Sequence, residues 1–385
     1  LANAANLVNF GTSGLNIGDW TYSPTSLTAP TYLPLTDNTV SYLASSYPTL
    51  AALYTTPVAA YAATNRTISA GVFGATTGMI NAVYGNGIWV APVYNSTTIL
   101  TSMDGINWVP RYCGFGTATT FSDIAYGNGI FVAISQSANT FTSTDGITWT
   151  YRPSVFVSSV AYITFGGGRF VVTPYTTNAA YVSSDGINWQ AKTFSASTTW
   201  ADIAFGNGTF VAVSGTGFCC TSTDYGNTWV ARTIPFGLSG ITYGGGQFVA
   251  VGPQASSTTG AATSPDGITW TTRVLPSAQN WASVAYGNGV YIAISGGQTA
   301  ASTAAASSTD GITWTARVLT SMYWNNIAFG GPPNNSYFIA CPVYTPTFSQ
   351  VTFTTTIALS VAQTTFSLPV VSAPMINVTP YIKAS

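Results

Sequence analysis

Apolar residues come in short runs, each closed by a tight polar turn. "IAYGNGIFVAIS" at 124–135 shows the unit: an apolar-polar strand, an Asn-Gly pair, and a second strand. Asn-Gly between two such runs predicts a hairpin with a primed two-residue turn. The same phrase reads "AVYGNGIWVA" at 82–91, "ITFGGGRFVV" at 163–172, "IAFGNGTFVA" at 203–212, "ITYGGGQFVA" at 241–250, "VAYGNGVYIA" at 284–293 and "IAFGGPPNNSYFIA" at 327–340, seven copies with that at 124–133. Their aromatic anchors are Tyr84, Tyr126, Phe165, Phe205, Tyr243, Tyr286 and Phe329, spaced 38 to 43 residues apart. A strand-rich period near 40 predicts a propeller or a solenoid.

A second phrase alternates with the first. It reads "SMDGINW" at 102–108, "STDGITW" at 143–149, "SSDGINW" at 183–189, "STDYGNTW" at 222–229, "SPDGITW" at 264–270 and "STDGITW" at 308–314. Each is a turn between a third and a fourth strand, so each repeat holds four antiparallel strands, the content of one propeller blade. The fold expected is all-β: a seven-bladed β-propeller of four-stranded antiparallel blades over 61–350. Only six repeats end in a "W-x-x-R/K" strand, at Arg111, Arg152, Lys192, Arg232, Arg273 and Arg317. The seventh lacks one, but Arg66-Thr67-Ile68 matches Arg317-Val318-Leu319. A strand around 61–69 is therefore expected to complete the last blade and close the ring, removing two free sheet edges.

Composition narrows the function. Charged residues are 5% of the 385, with ten acids, all Asp, against nine Lys and Arg, and there is no His. A phosphate-tracking surface needs clustered cations, so nucleic acid is not an expected partner. Residues 318–382 carry no charge, yet Asn, Gln, Ser, Thr and Pro interrupt them throughout, so no membrane insertion is expected. Cys113, Cys219, Cys220 and Cys341 lack metal-ligand spacing and read as buried free thiols; no metal or cofactor is implied. Six of the ten acids, Asp104, Asp145, Asp185, Asp224, Asp266 and Asp310, sit in the repeated turn. A group repeated in every blade serves the scaffold, because a propeller has one axial site. Asp and Ser cap the turn, Gly takes its left-handed position, and Trp supplies a buried face. A Lys or Arg follows each Asp by seven residues, or eight after Asp224, and is expected to bridge to it.

The "S-x-D-G-x-x-W" phrase closely resembles the Asp box of bacterial sialidases and many unrelated propellers. The resemblance implies that Asp and Ser/Thr bond turn amides while the Trp packs beneath. A sialidase would also need an arginine triad and a Tyr–Glu pair. This chain has no Glu, and its one Arg outside the repeat-matched positions is Arg169. Paired-carboxylate hydrolysis would fall to Asp19, Asp37, Asp123 and Asp202. Of these, Asp123 and Asp202 occupy matching positions in two blades and could face each other across the channel. The chain is expected not to be an enzyme.

The Asn-Gly and Asp turns share one face. The loops on the other face differ in every blade, and function on propellers lies where loops vary on a constant scaffold. Five residues before each anchor stand Met79, Phe121, Val160, Trp200, Leu238, Trp281 and Trp324, beside Gln279, Asn280, Tyr323 and Asn325. Exposed Trp and Tyr next to amides suit sugars, so Trp200, Trp281, Tyr323, Trp324, Gln279, Asn280 and Asn325 are the candidate ligand residues. The competing reading has the apolar ring plug the channel.

Residues 1–60 and 351–385 lie outside the repeat. "PTYLPLTDNTVSYLASSYPTLAALY" at 30–54 resembles a segment that precedes Asp-box propellers in bacteriophage structural proteins. That resemblance implies a tail-fibre or appendage subunit located in the virion, attached through its N-terminal part, with the propeller recognising a host-surface glycan. The β-prone ends at 1–60 and 351–385, with almost no charge, are expected to contact other virion or filament subunits, and the chain to form a homo-oligomer. The alternatives are a subunit of an extracellular filament and a secreted or cell-surface lectin-like adhesin.

Overall fold

A computed structural model describes residues 58–67 and 78–356, apart from loop stretches at 114–119, 154–157 (Phe156 excepted), 254–258, 297–300, 333–335 and 343–346. Of the arms expected at 1–60 and 351–385, residues 1–57 and 357–385 lie outside the described residues. The described residues form 28 strands in seven four-stranded antiparallel sheets. Blade two is typical: Phe121–Gly127, Ile130–Ser135, Thr140–Ser143 and Thr150–Arg152 pair in sequence order. Blade seven runs Trp324–Gly330, Tyr337–Pro342 and Thr347–Thr356, and its outermost strand is Val58–Thr67 from the start of the chain. The third strand of this blade continues to Thr356, so the propeller extends past the boundary expected at 350.

Why every first hairpin reads Tyr/Phe-Gly becomes clear from packing between blades. The anchor ring of each blade lies on the glycine of the preceding one. A Cβ on Gly206 would meet Tyr243 Cγ at 1.9 Å, and one on Gly127 would meet Phe165 Cγ at 2.0 Å. The same holds around the circle, ending with Gly330 against Tyr84 Cβ at 2.4 Å, the contact between blades seven and one. Each anchor also packs on an aromatic of its own second strand, as in Tyr126–Phe131 (4.5 Å) and Phe205–Phe210 (4.6 Å). Seven apolar clusters result, each spanning two neighbouring blades. The core is thus divided among the blade interfaces. The Asn-Gly turns behave as primed turns, with Asn128 and Gly129 at φ 49° and 79°.

The six Asp turns are built alike. Asp145 Oδ1 accepts from Ser143 Oγ, Ile147 N and Thr148 N, all at 2.8 Å, and Ser143 Oγ accepts from Gly146 N at 2.8 Å. Gly146 sits at φ 73°, and Trp149 Nε1 donates to its carbonyl at 3.0 Å. In the longer turn of blade four the inserted Tyr225 takes φ 62° and Gly226 φ 85°, while Asp224 still accepts from Ser222 Oγ at 2.8 Å and Thr228 N at 2.9 Å. In blade three the Trp189 indole N–H is buried and finds no acceptor. Slight burial works against ionisation of these carboxylates, but the turn N–H groups outweigh it and hold Asp104 and Asp145 at about 2. The expected Asp–Arg bridge is not among the described bonds: Oδ1 of each carboxylate accepts from its own turn. The guanidinium Nε instead donates across the strand pair to a hydroxyl, as in Arg273 to Thr263 (2.9 Å) and Arg317 to Ser307 (2.8 Å).

Candidate functional site: the mouth of the axial cavity

The first strand of each blade lines the axis. In five blades it carries a register shift near its start, between Phe121 and Asp123, Val160 and Tyr162, Trp200 and Asp202, Trp281 and Ser283, and Trp324 and Asn326. Regular alternation would send successive side chains to opposite faces. The bulge breaks that rule, so two consecutive residues lie between core neighbours on both sides; in blades three, four, six and seven both of them line the axial cavity, and in blade two Ser122 does. Ile124, Ile163, Ile203, Val284 and Ile327, next along these five strands, are buried.

This geometry corrects the expectation for the tryptophans. Trp200, Trp281 and Trp324 are 1%, 1% and 0% exposed and belong to the clusters between blades. Their indole N–H groups donate to the backbone carbonyls of Thr177, Ser277 and Thr320. They are neither an exposed sugar platform nor an axial plug, and Trp200 and Trp324 do not line the cavity.

What does line the axis is a cavity of about 480 Å³ on the variable-loop face. Its wall includes Ser122, Ala161, Tyr162, Ala201, Asp202, Ala282, Ser283, Asn325 and Asn326 from first strands, with Ser239 just before one. Its rim includes Tyr94, Gln136 and Tyr175 from the variable loops, with Asn280 and an edge of Trp281. Of the candidate ligand residues, the cavity brings together Asn280, Trp281 and Asn325. Gln279 is half-buried and Tyr323 is exposed, and both lie outside its lining. Asn325 Nδ2 is tied to Ile80 O at 3.0 Å, across the closure between blades seven and one.

The second axial position carries a ring of polar clamps. Asp123 Oδ1 accepts from Asn81 Nδ2 (2.7 Å) in the preceding blade and from Ile124 N (2.8 Å), and its Oδ2 accepts from Ile163 N (3.0 Å) in the following blade. Asp202 repeats the pattern: Ile203 N on Oδ1 at 2.7 Å and Ile241 N on Oδ2 at 2.9 Å. In blade six the hydroxyl of Ser283 donates to Asn326 Oδ1 (2.8 Å) and accepts from Ile327 N (3.3 Å). Burial pushes Asp123 up to about 6 against the pull of these donors. Burial, with the Asp123 charge adding to it, pushes Asp202 up to about 7. Asp123 is 6% exposed, whereas Asp202 is half-buried and lines the cavity. The Tyr162 hydroxyl is pushed up by burial and then by Asp202 and Asp123.

Tyr94, Tyr162, Tyr175, Gln136 and Asn326 were not among the expected ligand residues. The signal for the wall was the pair of positions after each early apolar residue. Ser122-Asp123, Ala161-Tyr162, Ala201-Asp202, Ala282-Ser283 and Asn325-Asn326 are small or polar twice running inside strands that otherwise alternate.

No family profile matches the chain, and no curated protein matches it. Solved structures share its fold. A structure of YCF48 bound to D1 peptide is 17% identical, with a TM-score of 0.60 over 78% of this chain and 97% of that one. Virginiamycin B lyase from Staphylococcus aureus is 11% identical, with a TM-score of 0.65 over 76% and 99%. YCF48 from Cyanidioschyzon merolae is 16% identical, with a TM-score of 0.55 over 76% and 98%. At these identities the likeness is one of propeller architecture.

Proposed function

We propose that the chain is a non-enzymatic recognition propeller, carried as a subunit of a phage tail fibre or appendage, with the mouth of the axial cavity taking a host-surface glycan. The observation that carries this reading is the character of that mouth. It is concave, bounded by amides, hydroxyls and tyrosines, and formed where the loops vary from blade to blade. Amides answer sugar hydroxyls, and aromatic faces answer the C–H face of the ring. The turn hydrogen bonds fit the Asp-box resemblance, and that resemblance together with the 30–54 segment supports a place in a virion. The axial carboxylates are engaged as clamps between blades, which leaves them poorly suited to a hydrolytic pair. The likeness to the lyase does not argue otherwise: a histidine-to-alanine change inactivates that enzyme, and this chain has no His.

The test is a glycan array probed with the full-length chain, followed by Asn280→Ala and Tyr175→Ala. Both residues are exposed at the rim. Each change should weaken binding about tenfold, the effect of a modest hot spot, with the thermal midpoint unchanged. Absence of binding to any glycan or host surface, or binding indifferent to both changes, refutes the reading.

A further inference from the structure

Among the described residues lining the axial cavity, Asp202 is the one charged side chain. The seven cations whose side chains are described stand elsewhere. Arg111, Arg152, Lys192, Arg232, Arg273 and Arg317 are on fourth, outermost strands or in the positions matching them, and Arg169 follows a turn on the opposite face. The clamp explains why a carboxylate is present, because its two oxygens accept two N–H groups at once. It does not require that the group face the cavity with a charge that no cation in the wall answers. Ser283 in blade six accepts the next blade's N–H with a neutral hydroxyl.

Asp123 and Asp202 also differ in what remains open. Asp123 is out of the cavity and carries a third donor, from Asn81. Asp202 has only its two backbone donors among the bonds described, one on each oxygen, so each oxygen keeps acceptor capacity directed at a walled space. Tyr162 stands in the blade between, and Tyr175 lies on the same rim; tyrosine faces attract a cation. A volume of about 480 Å³ accommodates a sugar ring.

From this arrangement we infer that the cavity selects a glycan bearing a free amino group, whose ammonium pairs with Asp202 while ring hydroxyls meet Asn280, Asn325 and Ser239. The inference rests on the glycan reading above and deepens it. A lysine side chain from a protein offers the same charge but uses none of the amide and hydroxyl rim, which is why the sugar is the partner favoured.

The experiment compares a β-1,4-linked glucosamine tetramer with its fully N-acetylated counterpart, by calorimetry on the full-length chain at physiological salt. The free-amine tetramer should bind at least about tenfold more tightly, the effect of a charge-assisted hydrogen bond away from bulk water. Asp202→Ser, which copies Ser283, should remove that preference while keeping the clamp to the next blade. The comparison in the unchanged chain stands even if the variant does not fold. Equal affinity for both tetramers, or a preference that survives in folded Asp202→Ser, overturns the inference and leaves the glycan reading intact. If neither tetramer binds but trilysine does, and the binding depends on Asp202, the glycan reading falls with it.

Discussion

The contact that repeats around the ring can be broken at one place and its energy read. Gly206 belongs to the first hairpin of blade four, and Tyr243 of blade five lies over it. A Cβ at Gly206 would stand 1.9 Å from Tyr243 Cγ, 2.1 Å from Cδ2 and 2.4 Å from Cδ1. Carbon atoms prefer about 3.5–4.0 Å, so Gly206→Ala asks for a displacement of about 1.6 Å or more. Neither side yields easily. Gly206 is paired with Thr209 on its own sheet, and the Tyr243 ring is held against Phe248 at 4.8 Å. Overpacking of this kind costs about 1–3 kcal/mol, and here the upper end is expected. Tyr243→Ala alone loses part of a half-buried ring, which is also destabilising, but it vacates the space the new methyl needs. The double variant should therefore be more stable than the sum of the single changes predicts, by about 1–3 kcal/mol. Urea unfolding of the four proteins, followed by far-UV circular dichroism, measures each term. If Gly206→Ala costs under about 0.5 kcal/mol, or if the two changes simply add, the glycine is not there to seat the next blade's ring and the account of blade packing is wrong.

Other outcomes follow from the same structure. Asp145→Ala should cost about 1–2 kcal/mol, because the turn N–H groups it releases are exposed and water replaces part of what they lose; its ligand binding should match the parent protein. Trp200→Ala should cost about 3–5 kcal/mol through the cavity it leaves between blades three and four, and a loss of binding without a loss of stability would contradict its burial. The pH profile of stability should have a maximum. Asp123 and Asp202, faced by one another and by Tyr162, titrate in the folded state at about 6 and about 7, above 3.8, so the folded protein binds the extra protons and stability falls as pH rises from about 4 through 7. Asp104 and Asp145, held at about 2, act with the opposite sign and remove stability as pH falls from about 4 towards 2, by a modest amount given their exposure. Thermal midpoints should peak near pH 4–5, and a midpoint that rises steadily from pH 5 to 8 would contradict the burial of the axial pair.

The sequence alone determined what is local and repeated. An Asn-Gly or Gly-Gly pair between two apolar runs signals a tight hairpin, and seven copies of the hairpin phrase at a period near 40, four of them with Asn-Gly, give seven blades. The Asp turns were legible for the same reason: their hydrogen bonds run between residues two to four apart, so the chemistry lies within one phrase. The closing strand was legible because Arg66-Thr67-Ile68 copies the fourth strands elsewhere. The tertiary structure decided whatever depends on the neighbouring blade. Glycine after the anchor looks like part of a turn signal until the next blade's ring is found on top of it. Trp200, Trp281 and Trp324 look exposed under simple alternation, and one bulged residue per strand turns them into the core and presents Asp202, Tyr162 and Asn326 to the axis instead. Alternation is fixed by the strand's own backbone, whereas the bulge in five of the seven first strands shows only in the pairing of one strand with the next, which no single strand's pattern contains.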